Sequence, residues 1–206
     1  MDNHDKKRTL IIEAATKRFA HFGISKTTMT EIAKDLSLSK ALLYYYFPDK
    51  ISLYAAVLEN IAKKMFHKID QGLVDIDNCE DAILYIIDMR LAFAMKYYNL
   101  FDQTIIGNSM EIPQELSRVI QLVSEREIKT IASVFNKANQ CQELHVENTI
   151  YIAEIFLNAM IGMRFCVLKD KKAMFIPTKD EFDEISKMQK KLAVIFLNGL
   201  RNQEKS

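Results

Sequence analysis

The chain has 206 residues, of which 49% are hydrophobic and 27% charged, and its formal net charge is +1. That length buries a sizeable core in one or two domains, and that balance is ordinary for a folded soluble protein and excludes a polycation. Only 5 Gly and 3 Pro interrupt a sequence rich in Ala, Leu, Ile, Lys and Glu, so long helices and an all-α fold are predicted.

The chain starts on polar residues, Met1-Asp2-Asn3-His4-Asp5-Lys6-Lys7, unlike a signal peptide. A first helix is predicted from about Asp5 to Phe22, with Leu10, Ile11, Ala14, Ala15 and Phe19 at helical spacing on one side. Gly23 follows as a residue free to turn left-handed. Thr28 opens a short second helix, three residues before Glu31, the spacing of a capping box. Ser37-Leu38-Ser39 makes a turn into a third short helix, about Lys40 to Tyr46. Phe47 stands before Pro48 and resists the α region, which ends it. A long fourth helix is expected from Asp49 to about Ile69, then a loop over 72–78. The fifth should run to about Phe101, and 102–112 read as a short helix plus loop. A seventh follows Pro113 to about Ala138, and an eighth spans Glu147 to Leu168. A linker, 169–177, precedes the last helix, which Thr178 and Glu181 open with a second capping-box pair and which ends near Leu200. About nine helices result. The apolar run from Ile150 to Leu168 is long enough for a membrane span, but Glu154, Asn158 and Arg164 interrupt it, so a buried helix of a soluble protein is the better reading. Cys79, Cys141 and Cys166 are widely spaced, form no CxxC, and read as free thiols of a reducing cytoplasm.

Three short N-terminal helices, the second and third joined by a tight turn, form a helix-turn-helix arrangement whose last helix enters the major groove. Residues 1–50 hold nine bases against six acids, a balance of +3 that leaves −2 for the remainder. A mildly basic end is compatible with a phosphate partner. Lys40, Tyr44, Tyr45 and Tyr46 supply what the groove side needs: lysine neutralises phosphate and tyrosine hydroxyls donate to it. The Tyr triplet also fits plain core packing against the fourth helix, most of all at Tyr46.

The segment Phe19-Ala-His-Phe-Gly-Ile-Ser-Lys-Thr-Thr-Met-Thr-Glu-Ile-Ala33, with Leu38-Ser-Lys-Ala-Leu-Leu-Tyr-Tyr-Tyr-Phe-Pro-Asp-Lys50, closely resembles the TetR family of repressors. The family's run is matched at Ser39, Lys40, Leu43, Tyr44, Tyr46, Phe47 and Lys50. The resemblance covers the first fifty to sixty residues; the remainder agrees in length and helical content. It implies a helix-turn-helix DNA-binding domain over 1–50, followed by a helical ligand-binding and dimerisation domain over 51–206. It also implies that Thr28 caps the second helix and donates to a phosphate. Lys40 then reaches a base edge or phosphate, Ala41 and Tyr45 lie against base edges or sugars, and Tyr44 and Lys50 clamp phosphates. Phe19, Ile32, Leu43 and Phe47 are implied as core. Two positions depart from the family pattern. Ser37 stands where the turn usually has Gly, at some cost in backbone strain. Leu42 stands where Thr is common, which exchanges a phosphate hydrogen bond for an apolar contact such as a thymine methyl.

Beyond the motif, Phe66, Met89, Phe93, Tyr97, Phe135, Phe156, Met160 and Met163 form an aromatic and methionine-rich set that serves either as core or as the apolar pocket the resemblance implies. Arg90, Asn158 and Arg164 lie within otherwise apolar helices and either anchor a polar group of a ligand or make salt bridges. The eighth helix is apolar almost all round and needs cover on every side. Ala159 and Gly162 permit close helix approach, and the last helix adds Phe182, Ile185, Leu192, Ile195 and Phe196. A two-fold four-helix interface between copies follows. No Glu-x-x-His pair, Gly-rich phosphate loop, GxSxG or HExxH is present, which speaks against an enzyme, a metal site or a cofactor. The expectation is a cytoplasmic, homodimeric repressor on a palindromic double-stranded operator, released by a small, largely apolar effector. A non-DNA-binding helical receptor or adaptor is the alternative.

Overall fold

The computed structural model describes residues 3–100, 112–168 and 178–201. These form α1 (Asn3–Phe22), α2 (Met29–Asp35), α3 (Lys40–Tyr46), α4 (Lys50–Leu73), α5 (Cys79–Lys96), α6 (Gln114–Gln140), α7 (Thr149–Leu168) and α8 (Lys179–Arg201), with a 3₁₀ turn at Tyr98–Leu100. Eight α-helices and no strand occur among the described residues, the all-α architecture that the scarcity of Gly and Pro predicted. The expected sixth helix over 102–112, Ile112 aside, and the linker over 169–177 lie outside the described residues.

Local chemistry sets the helix ends. Glu31 N–H donates to Thr28 Oγ1 at 3.3 Å while Thr28 N–H donates to the Glu31 carboxylate at 2.8 Å, the reciprocal pair of a capping box. Ser39 accepts from Leu42 N–H at 3.2 Å, Asp49 from Ser52 N–H at 2.7 Å, and Asn78 from Asp81 N–H at 2.8 Å. Thr178 and Glu181 repeat the reciprocal pair at 2.7 and 3.4 Å. Gly23 turns left-handed at φ 76°, and Phe47, before Pro48, is extended at φ −140°, ψ 109°.

Ser37 also turns left-handed, at φ 52°. A Cβ there strains the backbone, which is the physical reason for preferring glycine at such a turn. Ser37→Gly relieves the strain but frees the unfolded chain, so we expect a net gain of at most about 1 kcal/mol, read as a rise in the urea midpoint. A loss of stability would show that the Ser37 side chain contributes more than its strain costs.

Packing divides the chain into two compact units. Met1–Lys64 with Lys96–Leu122 form the first, and Met65–Met95 with Val123–Ser206 the second. In the first unit, Ile11, Phe19, Ile32, Leu43, Leu53 and Tyr54 are fully buried. Phe19 meets Tyr54 edge to face at 5.7 Å, and the Tyr54 hydroxyl donates to the carbonyl of Leu100. Asn99 donates to the Ala20 carbonyl at 2.9 Å. These partners claim the backbone and side chains of the 3₁₀ turn, and α5 ends at Lys96 rather than near Phe101. Leu10 is 54% exposed, against the sequence-based expectation, and Ile12 takes its place in the core.

In the second unit, Ile69, Ile83, Ile87, Phe135, Leu144, Phe156, Met160 and Ile185 form the core. Arg201 bridges Glu80 at 3.4 Å and Glu143 at 2.8 Å, and Glu143 in turn accepts from Cys79 N–H at 2.9 Å. The chain's last described residue is thereby tied to the start of α5. α4 continues past the expected end at Ile69, through Gly72. A Cβ on Gly72 would lie 2.1 Å from the Tyr85 hydroxyl, which donates to the Lys68 carbonyl at 3.0 Å. The missing side chain is what lets the Tyr85 ring lie against the helix. Cys79, Cys141 and Cys166 are free thiols, and burial pushes that of Cys79 up to about 12.

Candidate nucleic-acid interface

The seven residues of α3 range from core to solvent. Leu43 is buried, as is Phe47 just beyond the helix, and both face the first unit's core. Lys40, Ala41, Tyr44 and Tyr45 are exposed on the opposite side, at the three- and four-residue spacings that align on a helix. Tyr45 is 73% exposed and Tyr44 43%, high values for large aromatic rings. Leu42 and Tyr46 are half-buried. Tyr46 packs on His4 of α1 at 4.7 Å between rings and stands edge-on to Tyr45 at 5.4 Å. Tyr45 also meets His4 edge to face, at 6.1 Å, yet stays largely exposed, whereas Tyr46 is half-buried.

An ion-pair cluster braces α2 against α1. Arg18 of α1 forms a two-pronged pair with Asp35 and lies 3.6 Å from Glu31. The guanidinium holds the Asp35 carboxyl below its usual range, and hydrogen bonds from Thr28 do the same for Glu31. The stabilisation from both is present at neutral pH and fades on acidification, as pH falls through the depressed values.

Two expected phosphate contacts are engaged elsewhere. The Thr28 hydroxyl donates to the Glu31 carboxylate at 2.8 Å, so its proton serves the capping box. The Lys50 ammonium, half-buried, donates to the carbonyls of Ile24 at 3.0 Å and Thr27 at 3.2 Å. Sequence spacing does not reveal the second pairing, because it joins residues 26 apart across the motif.

The pocket candidates in the second unit divide. Phe135, Phe156 and Met160 are fully buried, and Phe66 is 8% exposed with Arg126 over its ring. Met89, Phe93 and Met163 are half-buried, Phe93 beneath Lys68. Arg90 pairs with Glu127 at 2.6 Å, the salt-bridge alternative. Asn158 is exposed on α7, one turn from Ile155 and Gly162, and so does not point into a core. Tyr97 belongs to the first unit, half-buried beneath Lys96. A cleft of about 200 Å³ in the second unit is lined by Leu73, Ile76, Cys79, Ala82, Val134 and Ala138 among others, and by none of these candidates.

The interface candidates divide as well. Phe182 and Ile185 are buried inside the second unit rather than on its surface, and half-buried Phe196 packs on Phe156 at 5.1 Å. Ala159 and Leu192 are half-buried, whereas Gly162 and Ile195 are exposed. Ile195 is 59% exposed, and Met188, two turns before it on α8, is also exposed. On α7, Tyr151, Ile155, Asn158 and Gly162 repeat at intervals of three or four and are all exposed, which makes an outward stripe. Tyr151 and Ile155 were not singled out from the sequence. The same spacing would have found them.

Residues 11–57 match the family profile of bacterial regulatory proteins of the tetR family. Over 122 residues the chain is 30% identical to the uncharacterized HTH-type transcriptional regulator YhgD of Bacillus subtilis, covering 56% of this chain and 63% of that protein. The chain thus spans less than two thirds of that relative's length. It is 27% identical over 187 residues to the biofilm operon icaADBC HTH-type negative transcriptional regulator IcaR of Staphylococcus aureus, with 83% of this chain and 92% of that protein covered. A crystal structure of a transcriptional regulator from Cytophaga hutchinsonii superposes with a TM-score of 0.85 at 28% identity, over 95% of this chain and 99% of that one. These relatives are named as regulators of transcription, not as enzymes.

Proposed function

We propose that this chain, a member of the TetR family of bacterial transcriptional regulators, is a homodimeric repressor that grips a palindromic operator and is released by a small, largely apolar effector. The observation that carries the reading is the outer face of α3, where Lys40, Ala41, Tyr44 and Tyr45 stand exposed while Leu43 and Phe47 anchor the helix from behind. A helix so anchored presents short, polar and aromatic groups to a major groove. In this reading residues 1–50 are the DNA-binding domain, and 51–206 bind effector and dimerise. Tyr44 donates to a phosphate, Lys40 reaches a base edge or phosphate, and Ala41, Tyr45 and Leu42 meet base edges or sugars. Thr28 acts by capping α2. The outward stripe of α7, with Met188 and Ile195 of α8, is the dimer face. Half-buried Met89, Phe93 and Met163, with Phe66, support an apolar effector site. No helix among the described residues is long and apolar enough to cross a membrane, in keeping with a repressor that meets its DNA in the cytoplasm.

Tyr45→Ala and Lys40→Ala are expected to change which operator is preferred, each at a cost of about 1–3 kcal/mol on the best site. Tyr44→Phe should weaken every sequence about equally, since it removes one hydroxyl from a phosphate. Fluorescence anisotropy against the wild-type operator and a shuffled duplex measures both. Wild-type protein that binds no duplex at any salt concentration would instead favour the receptor or adaptor.

A further inference from the structure

Lys50 opens α4, and its position is unusual for a surface lysine. Two of its three ammonium protons go to backbone carbonyls, those of Ile24 and Thr27, at 3.0 and 3.2 Å. Both carbonyls belong to the tight connection between α1 and α2. That connection is itself stapled: Thr27 N–H donates to the Ile24 carbonyl at 3.3 Å, and Thr27 Oγ1 to the Gly23 carbonyl at 2.8 Å. Ile24 and Thr27 are buried, at 1% and 0% exposure. The next residue, Thr28, caps α2. The ammonium therefore joins the first turn of α4 to the point at which the helix-turn-helix begins.

We propose that Lys50 is a positioning residue, a clasp that makes α4 and the α1–α2 turn move as one body, and not a phosphate clamp. A backbone turn held only by its own short-range bonds flexes when a neighbouring helix shifts. With the ammonium bridging two of its carbonyls, displacement at the start of α4 passes to α2 and α3 undiminished. α4, like α6, runs on from the first unit into the second, and is one route by which an effector signal would reach the motif. Charge–dipole hydrogen bonds of this kind are stronger than neutral ones. They also orient the ammonium toward the protein, which limits its neutralisation of DNA. The role rests on the DNA-binding reading above, but the clasp itself exists without DNA.

The test uses full-length Lys50→Met, which keeps the side chain's length and removes charge and donors, and Lys50→Gln, which removes charge and keeps an N–H₂ donor. Amide hydrogen exchange without DNA reports the clasp directly. In Lys50→Met, exchange across 24–31 should accelerate about tenfold or more, with 150–168 unchanged as the control. Operator affinity of both variants is then measured across salt. We expect affinity to fall for Lys50→Met while the slope of log affinity against log salt stays at the wild-type value. A slope flattened by about one unit in either variant, or exchange of 24–31 at the wild-type rate in Lys50→Met, overturns the clasp. If Lys50→Met does not fold, the slope of Lys50→Gln still decides between clasp and clamp. If the wild type binds no DNA, the DNA-binding reading fails, while the exchange measurement still decides whether the clasp exists.

Discussion

Ile195→Glu is expected to convert the proposed dimer into folded monomers at micromolar concentration. Ile195 is 59% exposed within one chain, so the substitution leaves each chain's own core untouched. It lies on the proposed dimer face, whose two-fold symmetry brings the same patch of both copies together. One substitution therefore buries two carboxylates, and an unpaired buried charge costs on the order of several kcal/mol. At about 1.4 kcal/mol per tenfold in affinity, the dissociation constant should rise by about a thousandfold or more. Sedimentation velocity reads the assembly, and far-UV circular dichroism confirms that the helices persist. Operator affinity should collapse in parallel, because the two recognition helices engage successive major grooves only when held together. A wild type that sediments as a monomer, or a variant that remains a dimer, rejects this face.

Phe135→Ala should destabilise the protein by about 3–5 kcal/mol, the range for truncating a fully packed Phe. The ring is at 0% exposure between the helices of the second unit. Loss of its contacts leaves a void that rigid neighbours close only in part. Phe93, half-buried beneath Lys68 at 5.9 Å, gives the comparison. Phe93→Ala removes less buried area and forfeits one cation–π contact of about 0.5–1 kcal/mol, so the loss should be clearly smaller. Urea unfolding of both variants decides the matter. A cost at Phe135 below about 1.5 kcal/mol, the size seen when a site tolerates volume change, would mean that its ring faces open space. Phe135 would then return to the effector site.

The helix-turn-helix end was readable because its determinants act over a few residues. Thr28 with Glu31, Ser39, Gly23 and the Phe47–Pro48 pair each set a helix boundary through bonds or steric limits within their own turn. Failures came where several local solutions were equivalent. Leu10, Ile11 and Ile12 are three consecutive apolar residues, and one helix face cannot take all three. Packing of α1 buried the last two and left Leu10 in water. α8 carries apolar residues on two sides, and periodicity alone does not say which side meets its own chain. Phe182 and Ile185 went inward, and Ile195 outward.

What the sequence determined by itself was therefore the local grammar: all-helical structure, the caps, and the chemistry of an exposed α3 face bearing Lys40, Tyr44 and Tyr45. Tertiary structure alone decided how the reactive groups are spent. Arg90 pairs with Glu127, and Lys50 gives its ammonium to Ile24 and Thr27. These join residues 37 and 26 apart. Such partners are selected by the packing of whole helices, because a buried or half-buried polar group must find whichever acceptor the fold brings within reach.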